Sequence, residues 1–155
     1  MESTLTIREG GSSDRSFLLE ILTLSAVATY PALGRLGRLT LRDAIEEFYI
    51  DYDLPQKRVW IAEADGVPAA GLWALPSIHP ALEESEFLVV AIATLPDHRG
   101  KGLAGALLRH AETEARREGL KAVRLFANPT NTVAMDLYRS MGFDSLSVEL
   151  RKPIY

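Results

Sequence analysis

Residues 99–105 read Arg99, Gly100, Lys101, Gly102, Leu103, Ala104 and Gly105, and they join an apolar, strand-like run, Phe87–Ala93, to an amphipathic stretch that opens near Gly102. Small residues let a ligand reach the main chain. The first turn of a helix adds N–H groups with no intrahelical partner and the positive end of its dipole. The spacing therefore predicts a site for a small molecule that carries phosphate.

Two phosphate-binding chemistries can be tested on the residues themselves. Gly100, Gly102 and Gly105 satisfy Gly-x-Gly-x-x-Gly between a strand and a helix, as a dinucleotide site requires. The next strand should then end in an acid that holds the ribose hydroxyl, yet it ends Phe126, Ala127, Asn128. The loop also lies past the middle of the chain and leaves no room for a doubly wound sheet. A nucleotide-triphosphate loop fits less well, because no Gly-Lys-Ser or Gly-Lys-Thr is present. The chain has no cysteine, which excludes disulfides, thiolate zinc sites and a covalent cysteine intermediate.

Arg99, Gly102 and Ala104 also fit the pattern Arg/Gln-x-x-Gly-x-Gly/Ala. With Ile92–Ala104 as one block, and Asn128, Pro129, Asn131, Ala134, Leu137, Tyr138, Gly142 and Phe143 as a second, the chain resembles the GNAT superfamily of acyl-coenzyme A dependent N-acetyltransferases. The resemblance is strongest from Phe87 to Phe143 and runs on to the C-terminus. It implies a GNAT-like α/β (α+β) fold whose splayed strand pair forms a coenzyme A cleft. Acetyl-CoA would be the cosubstrate, and no metal is called for. The resemblance further implies that the N–H groups of Gly100, Lys101, Gly102, Leu103, Ala104 and Gly105, beside Arg99, grip the pyrophosphate. The backbone of Ile92, Ala93 and Thr94 would pair with the pantetheine arm as another strand does.

Acetyl transfer from a thioester needs a neutral amine, a polarised carbonyl and a proton donor for the departing thiolate. By resemblance Tyr138 is that donor; read from spacing alone, Asn131, Ala134 and Tyr138 share a helical face with Leu137 and Met141, which equally suits a packed tyrosine. Asn131 reads as a helix N-cap or a pantetheine contact. Glu86, where some members of the superfamily place a base, reads as general base or as a solvated charge beside Glu83 and Glu84. His79 has suitable chemistry in a loop of unknown place. A strand N–H near Val90 or Ala91 would polarise the carbonyl, with direct attack in a ternary complex. The acceptor, a small-molecule or peptide amine, is expected against residues 30–52. There Arg35 and Arg38 could hold a carboxylate, and Glu46, Glu47, Asp51 and Asp53 could attract a polyamine. A noncatalytic acyl-CoA binding module and, more remotely, a dinucleotide oxidoreductase are the competing functions.

These residues need positioning by a single domain, 1–155, of ordinary globular composition, 47% hydrophobic and 25% charged. Thr4–Arg8, Arg58–Ala64, Val67–Ala74, the run from Phe87, Ala122–Ala127 and Leu146–Leu150 read as strands, for a mixed sheet of six or seven. Asp65 and Gly66 mark a hairpin. Four helices follow from caps at Ser13 or Asp14, Thr40, Gly102, and Thr130 or Asn131. The net charge of −4 offers no broad basic field for nucleic acid. No apolar run approaches the ~20 residues that span a bilayer, and the expected location is cytoplasmic. Assembly as a homodimer is left open.

Overall fold

The computed structural model describes residues 4–155, apart from the side chains of Arg38 and Leu39. Its sheet has five strands in chain order, β1 (Leu5–Glu9), β2 (Arg58–Ala64), β3 (Val67–Ile78), β4 (Ser85–Thr94) and β5 (Ala122–Leu125). The pairs from β1 to β4 are antiparallel, and β4 and β5 are parallel. Four helices complete the fold: α1 (Arg15–Thr29), α2 (Arg38–Tyr52), α3 (Leu103–Arg117) and α4 (Thr132–Ser140).

Local chemistry explains most of these elements. Asp65 and Gly66 both have positive φ, 52° and 80°, the backbone of a tight turn that matches strand twist, and they close the β2–β3 hairpin. Leu103, Leu107, Ala111 and Ala115 form the buried stripe of α3, and Gly119, at φ 74°, ends it. α1 and α2 cover one face of the sheet, with Leu18, Leu22, Ile45 and Tyr49 against Val59, Ile61, Trp73 and Ala91. α3 covers the other, against Trp60, Leu72, Phe87 and Val89.

β4 changes faces part-way along its length. Ala74 of β3 pairs with Val89 while Trp73 pairs with Ala91, so Val90 is an extra residue on β4. With side chains alternating, Phe87 and Val89 point to α3, and without the bulge Ala91 would follow them. The inserted residue sends Ala91 to the α1–α2 side instead.

Two expectations need correction. Leu146–Leu150 forms no strand, and the sheet has five strands rather than six or seven. The alternation of Leu146, Val148 and Leu150 is local, whereas pairing needs a partner edge; all three side chains lie in the open, at 63%, 71% and 88% exposure. α2 starts at Arg38, before Thr40, because the Leu41 N–H already bonds the Gly37 carbonyl at 3.0 Å.

Candidate active site

The glycine loop lies between β4 and α3, as its sequence requires. Gly100 and Gly102 have φ of 77° and 76°, a backbone that disfavours side chains, and a Cβ on either would meet nothing within 4 Å. Both face open space. The first N–H bonded within α3 is that of Ala106, to Gly102 O at 3.1 Å, which leaves the N–H groups of Leu103, Ala104 and Gly105 at the helix tip. No acid occupies the first turn, and Arg99 and Lys101 are exposed beside it. Such a tip has the N–H groups and the positive dipole end that suit an anion. Gly105 faces α4, where a Cβ would make ordinary contact with Leu137 at 3.6 Å.

β5 pairs with β4 only over Glu86–Val89 and ends at Leu125, while β4 continues to Thr94. One edge of Val90–Thr94 is therefore without a neighbouring strand. The Leu95 N–H points to β3 and bonds Ala69 O at 2.8 Å. Backbone direction alternates, so Ile92 and Thr94 aim their N–H groups at the open edge. There the Ile92 N–H meets Ser25 Oγ of α1 at 3.1 Å. The Val90 bulge lies at the top of this opening, next to Trp73, a buried side chain whose Nε1–H finds no acceptor.

α4 packs beside α3, with Leu137, Tyr138 and Met141 against the core on that face. Asn131 is its N-cap, accepting from the Ala134 N–H at 3.3 Å, which agrees with the capping reading. Tyr138 is half-buried, its ring edge-on to Phe143 at 5.8 Å between centroids. Burial pushes its phenol above the ordinary tyrosine value, so the hydroxyl keeps its proton throughout the neutral range. The loop entering α4 is tied back to α1, because Asn128 Nδ2 donates to Thr29 O at 3.1 Å while its Oδ1 accepts from the Thr130 N–H and hydroxyl.

Other candidates stand apart from this opening. Glu86 is 3% exposed and takes the Nε–H of Arg124 at 2.6 Å, on the stretch where β4 and β5 are still paired. Six residues of strand, about 20 Å, separate it from Ile92. His79 organises the β3–β4 turn, its Nδ1 accepting from the N–H groups of Ala81 and Leu82. Of the acids on α2, Glu46 is paired with Arg15, and Asp53, just past the helix, with Lys57. Arg35 is exposed, and the Arg38 side chain is outside the described residues. Two cavities, about 390 Å³ between α1 and α2 and about 190 Å³ beside His110, lie away from the opening, which is a groove.

Sequence reasoning missed Ser25, the bulge at Val90 and the anchoring of Asn128 to α1. Each depends on a partner far away in the chain. Only Asn128 carried a local sign, the Asn-Pro-Thr turn signal after β5.

Residues 28–143 match the Acetyltransferase (GNAT) family. The chain is 34% identical to N-acetyltransferase 8B of Homo sapiens over 84 residues, 54% of this chain and 37% of that protein. It is 30% identical to the mycothiol acetyltransferase of Streptomyces griseus subsp. griseus over 148 residues, 94% of this chain and 45% of the relative. It thus spans less than half the length of these curated relatives. Among solved structures, an aminoglycoside N-acetyltransferase in complex with CoA superposes with a TM-score of 0.69 at 18% identity, covering 99% of this chain and 97% of that one. An acetyltransferase from Clostridium acetobutylicum with acetyl-CoA gives 0.72 at 18% identity, covering 96% of each. These structural likenesses are likenesses of fold.

Proposed function

Because the chain belongs to the Acetyltransferase (GNAT) family, we propose that it is an N-acetyltransferase that moves the acetyl group of acetyl-CoA to a primary amine by direct attack in a ternary complex. One observation carries the reading: the helix tip of the glycine loop follows directly on the β4 edge that no strand covers, and α4, which carries the protonated Tyr138, packs beside that same helix. In this reading the pyrophosphate rests on the N–H groups from Gly100 to Gly105, with Arg99 and Lys101 alongside. The pantetheine arm adds to β4 along Ile92, Ala93 and Thr94, and the Asn131 end of α4 borders it.

The amine lone pair attacks the thioester carbon, and the carbonyl electrons move onto oxygen. N–H groups at the Val90 bulge face that oxygen. Collapse breaks the C–S bond, and the thiolate accepts the Tyr138 hydrogen bond and then its proton. The proton lost by the amine restores the phenol through water. Glu86 contributes indirectly in this scheme, since its carboxylate is bonded to Arg124 and lies up the strand from the opening. The acceptor enters from the α1–α2 side as a small-molecule or peptide amine.

A panel of amines assayed for free thiol release tests the proposal, together with calorimetric titration of CoA. Acetylation of at least one amine with CoA binding supports it. Binding without turnover across the panel would favour a noncatalytic acyl-CoA module, and binding of NADH but not CoA would refute the assignment.

A further inference from the structure

The β4 edge that β5 leaves open already has an occupant. Ser25, half-buried on α1, accepts the Ile92 N–H at 3.1 Å, across 67 residues of sequence. A serine hydroxyl within a helix ordinarily bonds a carbonyl one turn back. Thr23 and Thr29, on the same helix, do so, donating to Leu19 O and Ser25 O at 2.8 and 3.1 Å. Ser25 Oγ instead supplies an acceptor where a neighbouring strand would supply a carbonyl. It stands in for a missing strand.

We propose that Ser25 is a positioning residue that holds the cofactor edge of β4 in the free protein and yields it on binding. Its hydroxyl satisfies the Ile92 N–H until an amide carbonyl of the pantetheine arm takes that N–H and displaces it. This rests on the acyl-CoA reading given above. The exchange couples α1 to occupancy of the cleft. One turn further along the helix, Thr29 O holds Asn128 of the opposite lip, so α1 touches both sides of the opening.

The consequence has an unusual sign. Removing a side chain beside a ligand usually weakens binding, but removing a competitor strengthens it. In Ser25→Ala the Ile92 N–H loses its partner in the free protein and regains one only with cofactor, so CoA should bind roughly two- to tenfold more tightly. Ser25→Thr retains the hydroxyl and should remain within about twofold of wild type. Calorimetric titration with CoA gives the affinities, and amide hydrogen exchange at Ile92 gives an independent readout. That amide should exchange faster in free Ser25→Ala than in free wild type, and saturating CoA should protect it equally in both. Equal or weaker CoA binding by Ser25→Ala, or an Ile92 amide that CoA does not protect, would overturn the inference. Failure of the wild type to bind CoA at all is a separate result, and it would remove the acyl-CoA reading itself.

Discussion

Gly102→Asp tests the proposed anion site at an exposed glycine. The native residue has φ 76°, and its missing Cβ would project into open space, so the substitution clashes with nothing in the free protein. A side chain in this left-handed conformation costs about 1 kcal/mol, and an acid at the positive end of α3 returns about 0.3–1 kcal/mol. The melting temperature should therefore move by no more than about 4 °C in a domain of this size. Cofactor binding should behave differently. A carboxylate about 5 Å from a phosphate repels it by about 1 kcal/mol in water and about 3 kcal/mol at an effective dielectric of 20. That is roughly 5- to 150-fold in the CoA dissociation constant. Gly119→Asp is the matched control, because Gly119 shares the conformation, φ 74°, and the open surroundings at the far end of the same helix. It should lose stability, since an acid opposes the dipole there, and leave CoA binding unchanged. Calorimetry at about 0.1 M and 1 M salt separates charge from shape, since the screening length falls from about 10 Å to about 3 Å. CoA affinity in Gly102→Asp within twofold of wild type would refute the placement of the diphosphate.

Tyr138→Phe should bind CoA normally and acetylate about 10² to 10⁴ times more slowly where chemistry limits the rate; an unchanged chemical step would reduce Tyr138 to a packing role. Because burial raises the phenol above its ordinary value, its protonated form, and the activity that depends on it, should persist through neutral pH and fail only above the ordinary tyrosine range, as a pH–rate profile would show. Arg124→Met should destabilise the fold by about 3–5 kcal/mol, seen in denaturant melts, by leaving the Glu86 carboxylate buried and unpaired, whereas Glu86→Gln should retain turnover; its loss without a loss of CoA binding would make Glu86 the base. Arg8 bonds Asp14 through both Nη atoms and holds its carboxyl below the usual value, so this pair stabilises the fold above about pH 4 and its contribution is lost as the pH falls further; Asp14→Asn should flatten that part of the stability profile.

The features legible in the sequence are those whose cause is local. The amphipathic helix opening at Gly102 and the Asp65–Gly66 turn each follow from a few adjacent residues, and the structure has both where the sequence predicts. What escaped depends on contacts between distant segments. Ser25 looks like any polar residue on an amphipathic helix until Ile92 is brought against it. Val90 is one apolar residue in an apolar run, and only the register of β3 makes it a bulge. Glu86 reads as a loop-end charge because nothing near it in the chain announces Arg124. The C-terminal segment is the converse case, with a strand pattern and no edge to complete it.

These distant contacts explain why the opening between β4 and β5 has a definite place. The Glu86–Arg124 pair sits on the short stretch, Glu86–Val89 against Ala122–Leu125, where the two strands run together, and both partners are largely shielded from water, at 3% and 17% side-chain exposure. A buried pair of this kind is costly to break and so opposes separation at that end. Beyond Leu125 the chain is drawn toward α1 by the Asn128–Thr29 bond, away from the line that β4 follows. One end is clamped and the other is diverted. The divergence begins at Val90, where the bulge turns the backbone and shifts Ala91 to the other face, so the opening and the β4 edge that no strand covers arise from one local change in strand geometry.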